Sequence, residues 1–275
     1  MKRPTLNRWA GPLGTVAALL LISRRTGPFN PLSVISRRTL IKLGGLSLGA
    51  FVTGSWRAVS GARASGNNSS SLLVSCVLSP EQTEGPYYIT REQIRRNIME
   101  HRPGAALRLR LTVVDASTCK PIKGAAVDIW HCDAGGVYSG FESASTGGAP
   151  GGSAGPTDKD RFLRGVQITN AQGHAEFQTI YPGWYRGRTV HIHVKVHLNG
   201  DRVGHVVHTG QLYFPENVTA KVFKSGPYKA RAAARDTFNA TDAIFQSGGR
   251  QSMLGITRDG HGGYAGTITL GVRRS

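Results

Sequence analysis

Two histidines separated by a single residue are the first candidates for chemistry in this chain. They lie in the run TVHIHVKVHL, residues 189–198, where apolar and polar residues alternate. Side chains two positions apart on a β-strand point to the same side of a sheet, so His191 and His193 are predicted to lie side by side and could bind one metal ion. An ordinary strand with a polar outer face has the same pattern, so the pair does not define a site by itself.

Two tyrosines near predicted turns could complete such a site. Tyr185 follows a Pro-Gly turn and precedes His191 with five residues between them, and Tyr138 follows a strand-like stretch that breaks at Gly135-Gly136. Phenolate is a hard anionic ligand that suits Fe(III), and imidazole suits iron as well as copper and zinc. Two phenolates would favour Fe(III) over Fe(II). Fe(II) oxygenases instead use two His and one carboxylate, and no carboxylate lies close to this His pair in sequence.

The order of these and other short motifs resembles the intradiol ring-cleavage dioxygenases, the family of catechol and protocatechuate 3,4-dioxygenases. The motifs are TEGPYY (residues 83–88), DIWHCDAGGVY (128–138), FLRG (162–165), TIYPGWY (179–185), RTVHIH (188–193) and QLYF (211–214). Together they cover about residues 76–272. The chain is similar to the secreted single-domain branch of this family, since the span after the N-terminal region leaves no room for a helical dimerisation domain.

The resemblance assigns a role to six residues. It implies four ligands to a ferric ion, Fe(3+): Tyr138, Tyr185, His191 and His193. It also implies that Arg188 stabilises negative charge on the substrate and that Gln211 lines the oxygen or substrate side of the pocket. The implied reaction inserts both atoms of O2 into a catechol-type aromatic ring, with intradiol cleavage to a cis,cis-muconate-type product. The expected partners are therefore a catechol-type substrate and O2.

Two rival functions account for parts of the same pattern. A secreted transthyretin-like sandwich could bind aromatics or carbohydrate without turnover, but it would not need both tyrosines and both histidines together. Copper or zinc could instead occupy a site built on the His pair. Metal analysis combined with an optical spectrum separates the three possibilities.

Residues 1–64 are predicted to be an export signal. They carry ten of the 34 Lys and Arg residues and no Asp or Glu. Arg37-Arg38 precede a weakly apolar, Gly-rich run at residues 43–54, and residues 62–64 (ARA) offer a small-residue cleavage site. This order resembles a bacterial twin-arginine signal. Neither this run nor the shorter apolar stretch at residues 15–22 reaches the ~18–20 residues of a membrane span. We therefore expect membrane contact only during export, which would take the protein to the cell envelope or outside the cell.

The rest of the chain is predicted to be a polar lead-in, residues 65–75, followed by one catalytic domain, residues 76–275. The net charge of the whole chain is +18. Beyond the export signal 24 basic residues stand against 16 acidic ones, and they are dispersed. Because no basic stripe with interleaved aromatics is present, a nucleic-acid partner is not expected.

Short alternating runs separated by Gly, Pro, Asn and Asp predict a mostly β fold, an antiparallel β-sandwich with long loops and little helix. The expected strands are residues 107–113, 125–131, 162–169, 174–181, 189–198, 206–214 and 266–272. The first two could form a hairpin. Residues 229–238 are the single helical candidate, and the low-complexity residues 139–160 are expected to form a surface loop.

Three cysteines follow the export signal: Cys76, Cys119 and Cys132. In an oxidising compartment, one disulfide and one free thiol are expected. The spacing leaves the pairing open, and without a CxxC pair a structural zinc site is not expected.

Overall fold

The computed structural model describes residues 76–146 and 155–274; the predicted export signal and polar lead-in lie outside the described residues. Eight strands in the described part form two four-stranded sheets. The strands are β1 (Ala106–Asp115), β2 (Ala126–Trp130), β3 (Arg164–Ile168), β4 (His174–Ile180), β5 (His191–His197), β6 (Val206–Tyr213), β7 (Gly255–Arg258) and β8 (Tyr264–Val272). The first sheet has the order β4-β1-β8-β7 and the second the order β3-β2-β5-β6.

The two sheets face each other across one apolar core. On β1 the alternation of the sequence points Leu107, Leu109 and Leu111 inward, where each is buried. On β5 the apolar positions, such as Ile192 and Val194, enter the same core. Burial of this area is the main stabilising contribution to the fold. The prediction of a mostly β sandwich is confirmed, although β1 and β8 pair in parallel.

The expected hairpin between residues 107–113 and 125–131 is wrong. The first run is β1 of the first sheet and the second is β2 of the second sheet. Both strands bury an apolar face in the same core, so they lie on opposite sides of it. An alternating pattern shows which face of a strand is buried, but it does not show which strand lies beside it.

Helices in the described residues are few and short, as expected. They are α1 (Glu142–Thr146), α2 (Glu216–Val222), α3 (Lys229–Ala232) and α4 (Ala243–Gln246), with 3-10 turns at Gly226–Tyr228 and Gly249–Ser252. The candidate helix at 229–238 is helical only over Lys229–Ala232. Beyond it, Arg235 donates to the Glu216 carboxylate at 2.7 and 2.8 Å. The expected loop 139–160 contains α1, and its residues 147–154 lie outside the described part. None of the described helices has the length and apolar content of a membrane span.

A segment that we call the strap, residues 81–95, covers the outer face of the second sheet. It crosses from β6, where the Gln82 amide donates to the Thr209 carbonyl at 2.9 Å, to β3, where the Arg95 amide donates to the Val166 carbonyl at 3.0 Å. Every residue of β5 is therefore buried, whichever face of the sheet it lies on. This cover was not predicted from the sequence.

A disulfide joins Cys76, which precedes the strap, to Cys119 in the turn after β1. Cys132 is a buried free thiol. One disulfide and one free thiol agree with the expectation from the cysteine count, and the structure supplies the pairing that the spacing left open.

Candidate metal centre

The two predicted histidines begin β5 and point away from the core, toward the strap. His191 and His193 are 2% and 1% exposed, and their Nε2 atoms are 3.0 Å apart. The His193 ring stacks on Trp130 of the neighbouring strand, with centroids 4.9 Å apart. Gly85 of the strap lies close by, and a Cβ at this glycine would be 3.1 Å from His193 Cε1. The pair is therefore held between a strand and the strap.

The hydrogen bonds of His191 determine which of its nitrogens is free. Its Nδ1 lies 2.6 Å from the Thr189 carbonyl oxygen, and because a carbonyl can only accept, Nδ1 carries the proton. Burial, reinforced by the Arg188 charge, lowers the pKa of His191 well below its ordinary value. A neutral ring protonated at Nδ1 has its lone pair on Nε2, which faces His193 and Tyr185. This is the form that binds metal ions.

Tyr138 reaches the site through a tight turn after β2. Asp133 accepts hydrogen bonds from the amides of Gly135 and Val137, at 2.8 and 3.0 Å. Gly136 has φ +84°, and a Cβ there would clash with the Trp184 carbonyl oxygen, so this turn requires glycine. The Tyr138 side chain that follows is fully buried.

The Tyr138 hydroxyl has no hydrogen-bond partner among the described residues. Its ring stacks on Tyr87, with centroids 4.5 Å apart, and lies edge-on to His193, with centroids 6.1 Å apart. A buried polar atom without a partner is costly. Burial also raises the pKa of Tyr138 well above its ordinary value. A cation beside the oxygen would offset both effects.

Tyr185 lies on the turn between β4 and β5, and its hydroxyl is 3.5 Å from His191 Nε2. The ring centroids of Tyr185 and Tyr138 are 5.6 Å apart. Burial raises the pKa of Tyr185 to about 12, against the opposing effect of Arg188. Unlike Tyr138, Tyr185 is partly exposed, since it lines a cavity.

The structure thus brings all four predicted ligands together, and their chemistry fits a ferric ion. Two phenol oxygens and two neutral imidazole nitrogens are donors that suit Fe(III). Metal binding would release the phenol protons that burial otherwise retains. The described part holds no group of three or more His, Cys, Asp or Glu that could bind a metal ion.

Of the two other predicted residues, Arg188 lies beside Tyr185 and Gln211 contacts Arg188. Arg188 directs Nη1 toward the Tyr185 hydroxyl, at 3.5 Å, and its Nη2 donates to Gln211 Oε1. Gln211 is fully buried, and its own amide donates to the Thr83 carbonyl of the strap at 3.0 Å. Arg188 lines the cavity, whereas Gln211 is not part of its wall. Gln211 therefore meets the cavity through Arg188.

A cavity of 360 Å³ gives access to this centre. Its wall has two cations and no carboxylate: it is formed by Thr83, Gly85, Pro86, Tyr87, Ala144, Ser145, Tyr185, Arg186, Arg188 and Ile244. Apolar and aromatic groups with a few charged ones are typical of small-molecule sites. A planar aromatic ring with negative oxygens would suit this lining.

A buried arginine that was not predicted from the sequence holds the strap against the loop after Tyr138. Arg164 donates from Nη1 to the Tyr87 carbonyl, at 2.7 Å, and from Nη2 to the Ser139 carbonyl, at 2.7 Å. Burial lowers the pKa of Arg164 to about 10. The residue stands within the FLRG motif, but no local pattern indicates that its charge is buried.

Comparisons with known proteins place the chain among dioxygenases. A dioxygenase family model matches residues 83–219. An intradiol ring-cleavage dioxygenase from Tetranychus urticae is 40% identical, with a TM-score of 0.64 over 72% of this chain and 96% of that one. The dioxygenase domain of a dioxygenase carbohydrate-binding protein fusion from Streptomyces sp. SirexAA-E is 28% identical, with a TM-score of 0.52 over 72% of this chain and 100% of that one.

Catechol 1,2-dioxygenase 1 of Acinetobacter lwoffii is 28% identical over 137 residues, which are 46% of this chain. The match spans 40% of that relative's length. Fold and site define a β-sandwich with a buried His and Tyr centre. The chain belongs to the intradiol ring-cleavage dioxygenase family. None of these comparisons supports a non-catalytic transthyretin-like module.

Proposed function

We propose that this protein is a non-haem Fe(III) dioxygenase that cleaves catechol-type rings in the intradiol position, with O2 as the second substrate. The observation that carries the proposal is the convergence of Tyr138, Tyr185, His191 and His193 beside a cavity that Arg188 also lines. When bound, a ferric ion supplies a Lewis acid that draws electron density from a chelated catechol and so activates the ring toward O2.

The protein's own residues would bind and orient the substrate. Tyr185 is the partly exposed tyrosine, and as a phenolate its oxygen can accept a proton from a catechol hydroxyl. The Arg188 guanidinium, beside that oxygen, stabilises negative charge on the substrate. The strap closes one side of the centre, with Gly85 against His193. A centre shielded from bulk water strengthens these electrostatic interactions.

The first test is the metal content and colour of the purified protein. We expect about one iron per chain, and a red to burgundy colour from charge transfer between phenolate and Fe(III). Metal analysis and an optical spectrum measure both, and oxygen uptake with a cis,cis-muconate-type product tests turnover. Stoichiometric zinc or copper in active, colourless protein would exclude the ferric assignment.

We also propose that the protein is exported through the twin-arginine signal in residues 1–64. Changing both Arg37 and Arg38 to Lys is expected to leave unprocessed precursor inside the cell, because such a signal requires the arginine pair. Fractionation and immunoblotting measure the distribution, and changing Arg24 and Arg25 to Lys is the matched control. Mature double-Lys protein outside the cell would indicate a general secretory route instead.

A further inference from the structure

Asp242 is a buried carboxylate that none of the sequence motifs includes. It is 1% exposed and immediately precedes α4. Its Oδ1 accepts hydrogen bonds from the amides of Ile244 and Phe245, at 2.8 and 2.9 Å. Its Oδ2 accepts from Arg188 Nε and from the Thr189 amide, at 2.9 and 2.8 Å. One oxygen therefore caps α4, while the other faces the candidate centre.

The bond to Asp242 constrains the direction of the Arg188 guanidinium. The group is planar, so fixing Nε on one partner limits where its two terminal nitrogens can point. Here Nη2 donates to Gln211 and Nη1 faces the Tyr185 hydroxyl. All three nitrogens thus have different partners, and the side chain is 13% exposed. Without Asp242 the Nε edge would lose a charge-assisted hydrogen bond.

Gln211 does not supply an equivalent anchor. It is a neutral side chain held by Thr83 of the strap and by Tyr213, whose hydroxyl donates to Gln211 Oε1 at 3.1 Å. Gln211 limits the position of one terminal nitrogen of Arg188, Nη2. A hydrogen bond to a neutral amide is, however, weaker than one to a carboxylate. The orientation of Arg188 therefore depends chiefly on Asp242.

We propose that Asp242 is the positioning residue of the active site: it holds Arg188 so that Nη1 faces the Tyr185 oxygen and any negative charge that develops beside it. The role in turnover rests on the proposed dioxygenase function. The same segment also forms part of the cavity wall, since Ile244 lines the cavity. Asp242 therefore ties the direction of Arg188 to the position of that wall.

The first experiment measures the position of Arg188 without measuring activity. The Arg188 Nε–Hε resonance is identified in ¹⁵N-labelled protein, with any bound iron replaced by diamagnetic Ga(III), as the signal lost in Arg188→Ala. In Asp242→Asn the Nε–Hε signal is expected to shift, and the Hε proton is expected to exchange faster with water. The Asn oxygen can still cap α4, which leaves its NH2 group facing Arg188. Asp242→Ser, a good N-cap without a carboxylate, replaces the Asn variant if that one does not fold.

The second experiment is a double-mutant cycle on turnover of catechol. Asp242→Asn is expected to lower kcat by about 10- to 100-fold in the wild-type background, as misplaced catalytic groups do. In the Arg188→Ala background it is expected to change kcat by less than about 2-fold, because a residue that acts through Arg188 has nothing left to position. Iron content and the tyrosinate band of Asp242→Asn should remain those of the wild type.

Asp259→Asn is the matched control. Asp259 also accepts two backbone amides and faces an arginine, Arg108, but it lies in the turn between β7 and β8 of the other sheet. The Asp259→Asn substitution should leave kcat unchanged. An unchanged Arg188 signal in Asp242→Asn, or an equal fall of kcat in both backgrounds, would overturn the positioning role. If the wild type does not turn over catechols, the proposed function fails, while the NMR comparison still decides whether Asp242 positions Arg188.

Discussion

Tyr138→Phe and Tyr185→Phe are expected to have different effects on the colour of the catechol complex. Removal of Tyr138 should shift or bleach the tyrosinate band even with catechol bound, because this buried tyrosine would stay on the metal throughout. Removal of Tyr185 should retain some iron and some catechol binding but impair turnover, because Tyr185 would be the tyrosine that leaves the ion when catechol binds and then accepts a substrate proton. An optical titration of each variant with catechol measures the band directly.

The surroundings of the two rings support this difference. Tyr138 is fully buried and stacked on Tyr87, so it has little freedom to move. Tyr185 lines the cavity and is followed closely by Gly187, which has a φ of +77°. A turn with this glycine can adjust its backbone more readily than one with larger residues. The Tyr185 phenol can therefore move away from the candidate metal centre more easily than the Tyr138 phenol can.

Tyr264→Phe is the control for the loss of a hydroxyl, since Tyr264 is a buried tyrosine in the first sheet. It should leave the band unchanged. A tyrosinate band that survives in the catechol complex of Tyr138→Phe and disappears in that of Tyr185→Phe would reverse the two roles. If neither variant changes the band, neither tyrosine binds iron.

Arg188→Ala is expected to keep iron and colour while slowing turnover by about 10²–10³-fold, the usual cost of losing one electrostatic partner of a developing charge. The side chain is 3.5 Å from the Tyr185 oxygen and is not one of the four donors. Steady-state kinetics on a good catechol substrate, with metal analysis of the same samples, measure both properties.

The structure adds a stability effect to this variant. Arg188→Ala leaves the buried Asp242 carboxylate without its cation, although three backbone amides still donate to it. We expect a loss of about 1–3 kcal/mol in the free energy of unfolding, measurable by denaturant titration. Arg188→Lys should restore the positive charge but not the direction of the planar guanidinium group. Arg110→Ala, on the exposed face of β1, is the control for the loss of an arginine that pairs with a carboxylate. Unchanged kinetics in Arg188→Ala would remove Arg188 from the mechanism.

Strand pairing could not be predicted from the same patterns that predicted the strands. The alternation in β1 correctly placed Leu107, Leu109 and Leu111 on an inner face. It did not indicate that β8, near the end of the chain, pairs with β1 in parallel. Which strands become neighbours depends on how both sheets cover one core, and that choice involves residues far apart in the chain.

The pairing of the two histidines was readable from the sequence by itself because it depends on near neighbours, whereas the full ligand set, with Tyr138 and Tyr185, was implied by the family resemblance. The two-residue period of a strand predicts that His191 and His193 share a face, and the structure places their Nε2 atoms 3.0 Å apart. The double glycine predicted a break before Tyr138, and the structure has a turn there that requires glycine at Gly136.

The tertiary structure alone decided what surrounds those ligands. Arg164 meets the Tyr87 carbonyl across 77 positions of the chain, and Asp242 meets Arg188 across 54. In sequence, each is an ordinary charged residue that could lie on a solvated surface. Their side chains become buried and hydrogen-bonded only when the strap and the segment before α4 pack against the second sheet. A contact of that kind leaves no local periodicity in the sequence.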